Sequence, residues 1–264
     1  MGIKTLKIVC LGLLGTGVLF VAGCGGSNIN VARLSDADRA VVEQVVKKLE
    51  PMIAQRRSQG DIAALSFEEL YLPLNGEERA FLRQFQNLDT RLLNITIPYQ
   101  GIPSKTPDLV VIKGQMMKLA ENKTQEIPPQ FLPRDVYNAY MAMTAAMKKD
   151  IGRMLYVESG YRSAAYQLYL FVFYLKNHDY SIRETARFAA WPGYSEHGQP
   201  IHQAVDFVNE RGIDGQNDPA AFEALEEYQW MLRHAERYGF KLSYPHGSKM
   251  AFEPWHWHYS SVSQ

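Results

Sequence analysis

The feature that most limits what this chain can fold into lies at its start. Lys4 and Lys7 precede a mostly apolar run, Ile8 to Ala22, that ends in small residues at Gly23-Cys24. A positive start, an apolar core of about 15 residues and a small-residue cleavage site describe a secretory signal. The run is short for a membrane span, which needs about 20 residues, and it is interrupted by Gly12, Gly15 and Gly17. Removing residues 1–23 leaves 241 of the 264 residues, and takes two lysines and no acid from a balance of 28 basic and 28 acidic side chains. The net charge becomes −2. Cys10 leaves with the signal, so only Cys24 remains. No thiol is then left for a disulfide, a redox pair or a nucleophile. Such a chain must be held by packing, and its length allows one large core with or without an added element. The charge balance excludes a basic nucleic-acid binder, and a hydrophobic content of 46% excludes a disordered tail.

Val21-Ala22-Gly23-Cys24 looks like a bacterial lipobox, which implies cleavage before Cys24 and a diacylglyceryl group on its sulfur. The expectation is a signal peptide over 1–23, a lipidated tether over 24–34, and a protein held through lipid at a membrane of the bacterial cell envelope, facing the periplasm or exterior. Ser35-x-x-Asp38 then opens a helix with apolar residues at helical spacing from Val41 to Ile53, and the helix stops near Gly60. Ser66-x-x-Glu69 and Asn75 cap two shorter helices. A helical N-terminal region over 35–95 follows, with no residue that suggests chemistry.

Prolines at 98, 103 and 107 mark a change of organisation. Beyond them strands are expected at Leu109–Ile112, Met154–Val157, Ala204–Val208, Phe240–Tyr244 and Trp255–Tyr259. Helices are expected from Arg134 to about Lys149, over Tyr166–Leu175, and as one long element from the Asp218-Pro219 start to Gly239. Residues 128–133, with three prolines, read as a loop.

Six of the seven histidines lie between 197 and 258. Without a usable thiolate, His and carboxylate are the natural ligands of a catalytic zinc, which takes three protein ligands and leaves one position for water. A further acid, usually Glu, must move that water's proton. Tyr194-Ser195-Glu196-His197 with Ala204-Val205-Asp206 offers one set of parts, and Glu253-Pro254-Trp255-His256-Trp257-His258 another. On a strand His256 and His258 share a face, and Pro254 breaks the alternation that would otherwise turn Glu253 away. Single histidines are more often structural than ligating, and no HExxH helix is present, so spacing alone leaves a metal site and a packed core both open.

Ser159-Gly160-Tyr161-Arg162-Ser163, then Ser195-Glu196-His197 with Ala204-Val205-Asp206, then Glu253-Pro254-Trp255-His256, occur in an order that resembles the zinc D-alanyl-D-alanine carboxypeptidases of the VanY type. The resemblance covers residues 96–264. It implies an α+β zinc-peptidase domain, with a small mostly antiparallel sheet and flanking helices, after the helical N-terminal appendage. It implies Zn2+ on His197, Asp206 and His256, Glu253 as general base, and Arg162 at the scissile carbonyl or terminal carboxylate. Ser195 and Gln167 would help hold the peptide, with Tyr161 in the pocket wall or the core. The substrate would be a peptidoglycan stem peptide that loses its C-terminal D-alanine. An L,D-carboxypeptidase, dipeptidase or endopeptidase, or a non-catalytic wall-binding lipoprotein, are the alternatives. The spacing from His197 to Asp206 is nine positions where the family has seven, and His202 stands where glycine is usual, so His202 competes with His197 as first ligand.

Overall fold

The computed structural model describes residues 29–95, 97–119, 121, 123–199, 202–248 and 250–261. The signal peptide, Cys24 and the first part of the tether lie outside the described residues.

Helix α1 (Asp36–Gln59) starts where the Ser35 hydroxyl accepts from the Asp38 N–H, and stops at Gly60 in the left-handed conformation. Full capping boxes, Ser66 with Glu69 and Asn75 with Glu78, open α2 (Phe67–Tyr71) and α3 (Gly76–Gln86). These helices do not keep their core to themselves. Val42, Val45, Leu49 and Ile53 of α1 share a buried cluster with Leu168, Phe171 and Val172 of α5 (Ala164–Tyr174) and with Trp191. The expected tether is also different where it is described. Ile29, Val31 and Leu34 are buried in that cluster, and the chain is pinned by hydrogen bonds from Leu34 N to Tyr180 O and from Arg183 N to Val31 O. Three apolar side chains within six residues gain more from burial than from solvent.

The second half is built on a four-stranded antiparallel sheet, in the order β5 (Leu155–Ser159), β6 (Ala204–Asn209), β8 (His256–Tyr259), β7 (Phe240–Leu242). Its apolar face carries Val157, Val205, Phe207, Trp257 and Phe240. That face packs against Val136, Tyr140 and Met143 of α4 (Arg134–Ile151) and Trp230 and Met231 of α8 (Glu226–His234). Asp206 and His256 alternate with these core residues and so project from the other face.

Two expectations change. Residues 130–133 are not a loop: β4 (Gln130–Pro133) pairs with β1 (Leu109–Ile112), with Pro133 at the end of its strand where a missing N–H is tolerated. A second hairpin, β2 (Met116–Lys118) with β3 (Thr124–Glu126), carried no apolar alternation to reveal it. The long helix after Asp218 is broken into α7 (Pro219–Glu223), α8 and a short 3-10 turn. The break is at Leu225, whose extended backbone lets Phe222, Leu225 and Tyr228 all enter the core under the sheet. No described helix is long and apolar enough to cross a membrane.

A core shared between α1 and α5 predicts that the N-terminal helices unfold with the rest. Leu49→Ala should cost about 2–5 kcal/mol in a single denaturant transition followed by tryptophan fluorescence. A separate early transition that leaves the tryptophan signal intact would show that the helices fold apart.

Candidate metal centre

The centre begins with strand register. In the β6–β8 pair Asp206 stands directly opposite His256. His256 Nδ1 lies 2.7 Å from Asp206 Oδ1. The third group arrives from the other half of the molecule, on the 3-10 turn Glu196–Gly198. Ser195 caps this turn through its hydroxyl, and the His197 carbonyl accepts from Arg162 N and Gln203 Nε2. His197 is thereby held with its Nε2 3.2 Å from Asp206 Oδ2. One ligand atom from each of His197, Asp206 and His256 lies within 4.8 Å of the others.

The tautomer of His197 gives this cluster its chemical meaning. Its Nδ1 lies 2.8 Å from the Gly160 carbonyl oxygen, which can only accept, so Nδ1 carries the proton. Burial and the nearby Arg162 cation lower the pKa of this imidazole and outweigh Asp206, so the ring is neutral. A lone pair on Nε2 therefore faces a carboxylate oxygen. Two acceptors at that separation repel unless a cation sits between them. Burial acts to raise the pKa of Asp206, but the two imidazoles hold it far below the usual carboxylate range. Burial likewise opposes protonation of His256, while Asp206 and Glu196 raise its pKa. The field at this point favours positive charge. Two imidazoles and one carboxylate are a donor set suited to a borderline divalent ion.

His202 is not part of the cluster. It is exposed, with Nδ1 3.1 Å from Ser260 Oγ, whereas His197 is buried. Pro200, in that loop, lies outside the described residues.

A cleft of about 650 Å³ opens over the cluster, lined among others by Arg162, Ser195, Tyr244 and Glu253. Glu253 is there because regular pairing starts only at His256; the Glu253 carbonyl accepts from His256 N in a turn at Pro254. Burial, with repulsion from Asp206 and Glu196, raises its pKa against the pull of His256. Arg162 is half-buried, and its Nε is shielded from solvent without a hydrogen-bond partner. Burial lowers its pKa, although Asp206 opposes this.

Two expected side chains stand elsewhere. Gln167 is 3% exposed, and its Nε2 donates to the Ala190 carbonyl, so it supports the backbone behind the cleft wall instead of meeting a peptide. Its place on the buried face of α5 is the reason. Tyr161 packs with Ala63 and Phe131 and lines a neighbouring cavity, so it belongs to the core alternative. Sequence reasoning assigned no role to Glu196, although it adjoins His197. Its Oε2 lies 3.0 Å from His256 Nε2. Tyr244, whose ring stacks on His256 at 5.2 Å between centroids, carried no signal in the sequence.

The profile of the VanY family, described as D-alanyl-D-alanine carboxypeptidase, matches residues 129–262, half of the chain, and spans every residue of the cluster. The chain belongs to the VanY family. Family membership places it among peptidases of peptidoglycan. The VanY-like fold is mixed α+β with small antiparallel sheets. Among solved structures, the LD-carboxypeptidase LdcB is 25% identical over 62% of this chain and 72% of its own, with a TM-score of 0.44. A vancomycin-resistance D,D-pentapeptidase VanY in complex with Zn(II) is 19% identical over 64% of this chain and 88% of its own, with a TM-score of 0.42. VanYB in complex with D-alanine-D-alanine is 21% identical over 64% and 86%, with a TM-score of 0.43. No curated protein matches the chain significantly in sequence.

Gly160 must stay small for its carbonyl to reach His197, since a Cβ there would collide with the Phe131 carbonyl oxygen. Gly160→Ala should displace this loop, cost about 1–3 kcal/mol as an overpacking change, and weaken divalent-metal binding. Equilibrium dialysis that shows wild-type affinity in this variant would refute the link.

Proposed function

We propose that the protein is a zinc-dependent D,D-carboxypeptidase that removes the C-terminal D-alanine from peptidoglycan stem peptides. The observation that carries this reading is the neutral His197 Nε2 turned onto the Asp206 carboxylate, beside His256, in a cleft that also holds an acid and an arginine. His197, Asp206 and His256 would hold the zinc. Zinc bound there supplies Lewis acidity and lowers the pKa of a water ligand towards about 7.

The chain's own groups do the rest. Glu253 accepts the proton of the attacking water and delivers it to the departing amine, the work of one carboxylate as base and then acid. A raised Glu253 pKa suits the second half of that task. Arg162 lines the cleft, and its guanidinium, charged at any working pH, can clamp the free carboxylate with which such a substrate ends. Ser195, buried in the cleft wall, holds the turn that carries His197 and adds a hydroxyl beside the peptide.

Presence of Glu253 in the cleft favours an enzyme over a wall-binding module, which needs no general base. The choice between D,D- and L,D-cleavage turns on single polar contacts with the substrate, and those can change preference by orders of magnitude. A signal peptide over 1–23 and lipid on Cys24 would hold the enzyme at the bacterial envelope, within reach of the wall.

The full-length chain should hydrolyse a stem pentapeptide ending in D-Ala-D-Ala, lose activity to a chelator and regain it with zinc. Activity indifferent to chelation would rule out the metal mechanism, and release of D-alanine from tetrapeptides alone would make it an L,D-enzyme. Glu253→Ala should keep zinc and lose about 10²–10⁴-fold in kcat, whereas His256→Ala or Asp206→Ala should lose both. An unchanged rate in Glu253→Ala would remove its role as base.

A further inference from the structure

We propose that Glu196 is a positioning residue: its carboxylate holds the proton of His256 on Nε2, so that the Nδ1 lone pair is free for the metal. The inference rests on the zinc reading above and assigns a role to a side chain outside the three ligands and the acid–base pair. His256 is buried between two carboxylates. Nδ1 lies 2.7 Å from Asp206 Oδ1, and Nε2 lies 3.0 Å from Glu196 Oε2. An imidazole that binds a metal is neutral and keeps one proton to give, and each carboxylate can only accept it. If the proton sits on Nδ1 it bonds to Asp206, and the atom nearest the cluster is no longer a ligand. If it sits on Nε2 it bonds to Glu196, and Nδ1 is available.

The Glu196 oxygen is itself fixed. Ser243 Oγ donates to the same Oε2 at 2.9 Å, and the hydroxyl oxygen lies 2.9 Å from His258 Nδ1. A chain His258–Ser243–Glu196–His256 therefore runs into the centre along the polar face of β8 and the residue after β7. It gives His258 a place in the same network, on the strand face it shares with His256. Tyr244, adjacent to Ser243, stacks on the His256 ring at 15° and fixes its plane. Outer partners that fix the tautomer of a ligating histidine contribute about 10–100-fold in metal affinity.

The test is zinc affinity of the full-length chain by competition with a chromogenic chelator. Glu196→Ala should bind zinc about 10–100-fold more weakly, with the melting temperature of the metal-free chain unchanged. Glu196→Gln, whose amide oxygen can still accept from Nε2–H, should recover most of that loss. Wild-type affinity in Glu196→Ala, or no recovery in Glu196→Gln, overturns the proposal while leaving the zinc reading intact. A wild-type chain that binds no zinc fails the zinc reading instead, and the proposal with it. Histidine-labelled 15N spectra of the zinc-loaded wild type need no variant to fold: they should show His256 metallated at Nδ1 with a proton on Nε2, and the opposite assignment overturns the proposal.

Discussion

A carboxylate shared by two imidazoles at a strand pairing is the constraint on which this molecule is organised. Asp206 faces His256 across the β6–β8 ladder, and a slip of either strand by one residue would turn its ligand candidate into the core and bring Val205 or Trp257 into the cleft. The register is protected by what lies beneath it. Val205, Phe207 and Trp257 are all buried against α4 and α8, so the hydrophobic face that stabilises the sheet also dictates which residues face the cleft. Stability and chemistry share one set of hydrogen bonds.

The third ligand candidate comes from the half of the molecule that the N-terminal helices help to build. The turn at 195–198 follows Trp191, which stacks on Phe85 of α3 and meets Phe171 of α5 edge-on. The helical region is thus part of the support behind His197, since α1, α3 and α5 converge on the core from which that loop departs. Leu93, Asn94, Ile95 and Ile97 go further and line the cleft itself, although they precede the segment matched by the family profile. A segment without any chemical residue, at the end of the N-terminal region, therefore forms part of the cleft wall.

Several elements were legible because a local rule determines them. The cap at Ser35, the boxes at Ser66 and Asn75 and the stop at Gly60 are interactions between near neighbours. β5, β6 and β8 were expected from their short apolar segments, and Pro254 signalled the irregularity that admits Glu253 to the cleft. The hairpin β2–β3 escaped because it has little buried surface. The single long helix expected after Asp218 broke because burying Leu225 outweighs one more turn of helical hydrogen bonds. Gln167 faced the core because most of α5, including Gln167 through Val172, is buried, so helical spacing alone does not mark a side chain there as facing the cleft.

What the sequence determined by itself is the supply of parts: two cysteines, both within the first 24 residues, a histidine-rich last quarter, and three short motifs in the order of one family. Tertiary structure decided how they are used. It brought His197 into the cluster and left His202 exposed, protonated His197 on Nδ1 through a backbone carbonyl 37 residues away, and set Glu196 against His256 60 residues on. Those choices depend on which lone pair or proton faces which acceptor. Such directions arise only when distant segments pack together, and no spacing within one segment encodes them.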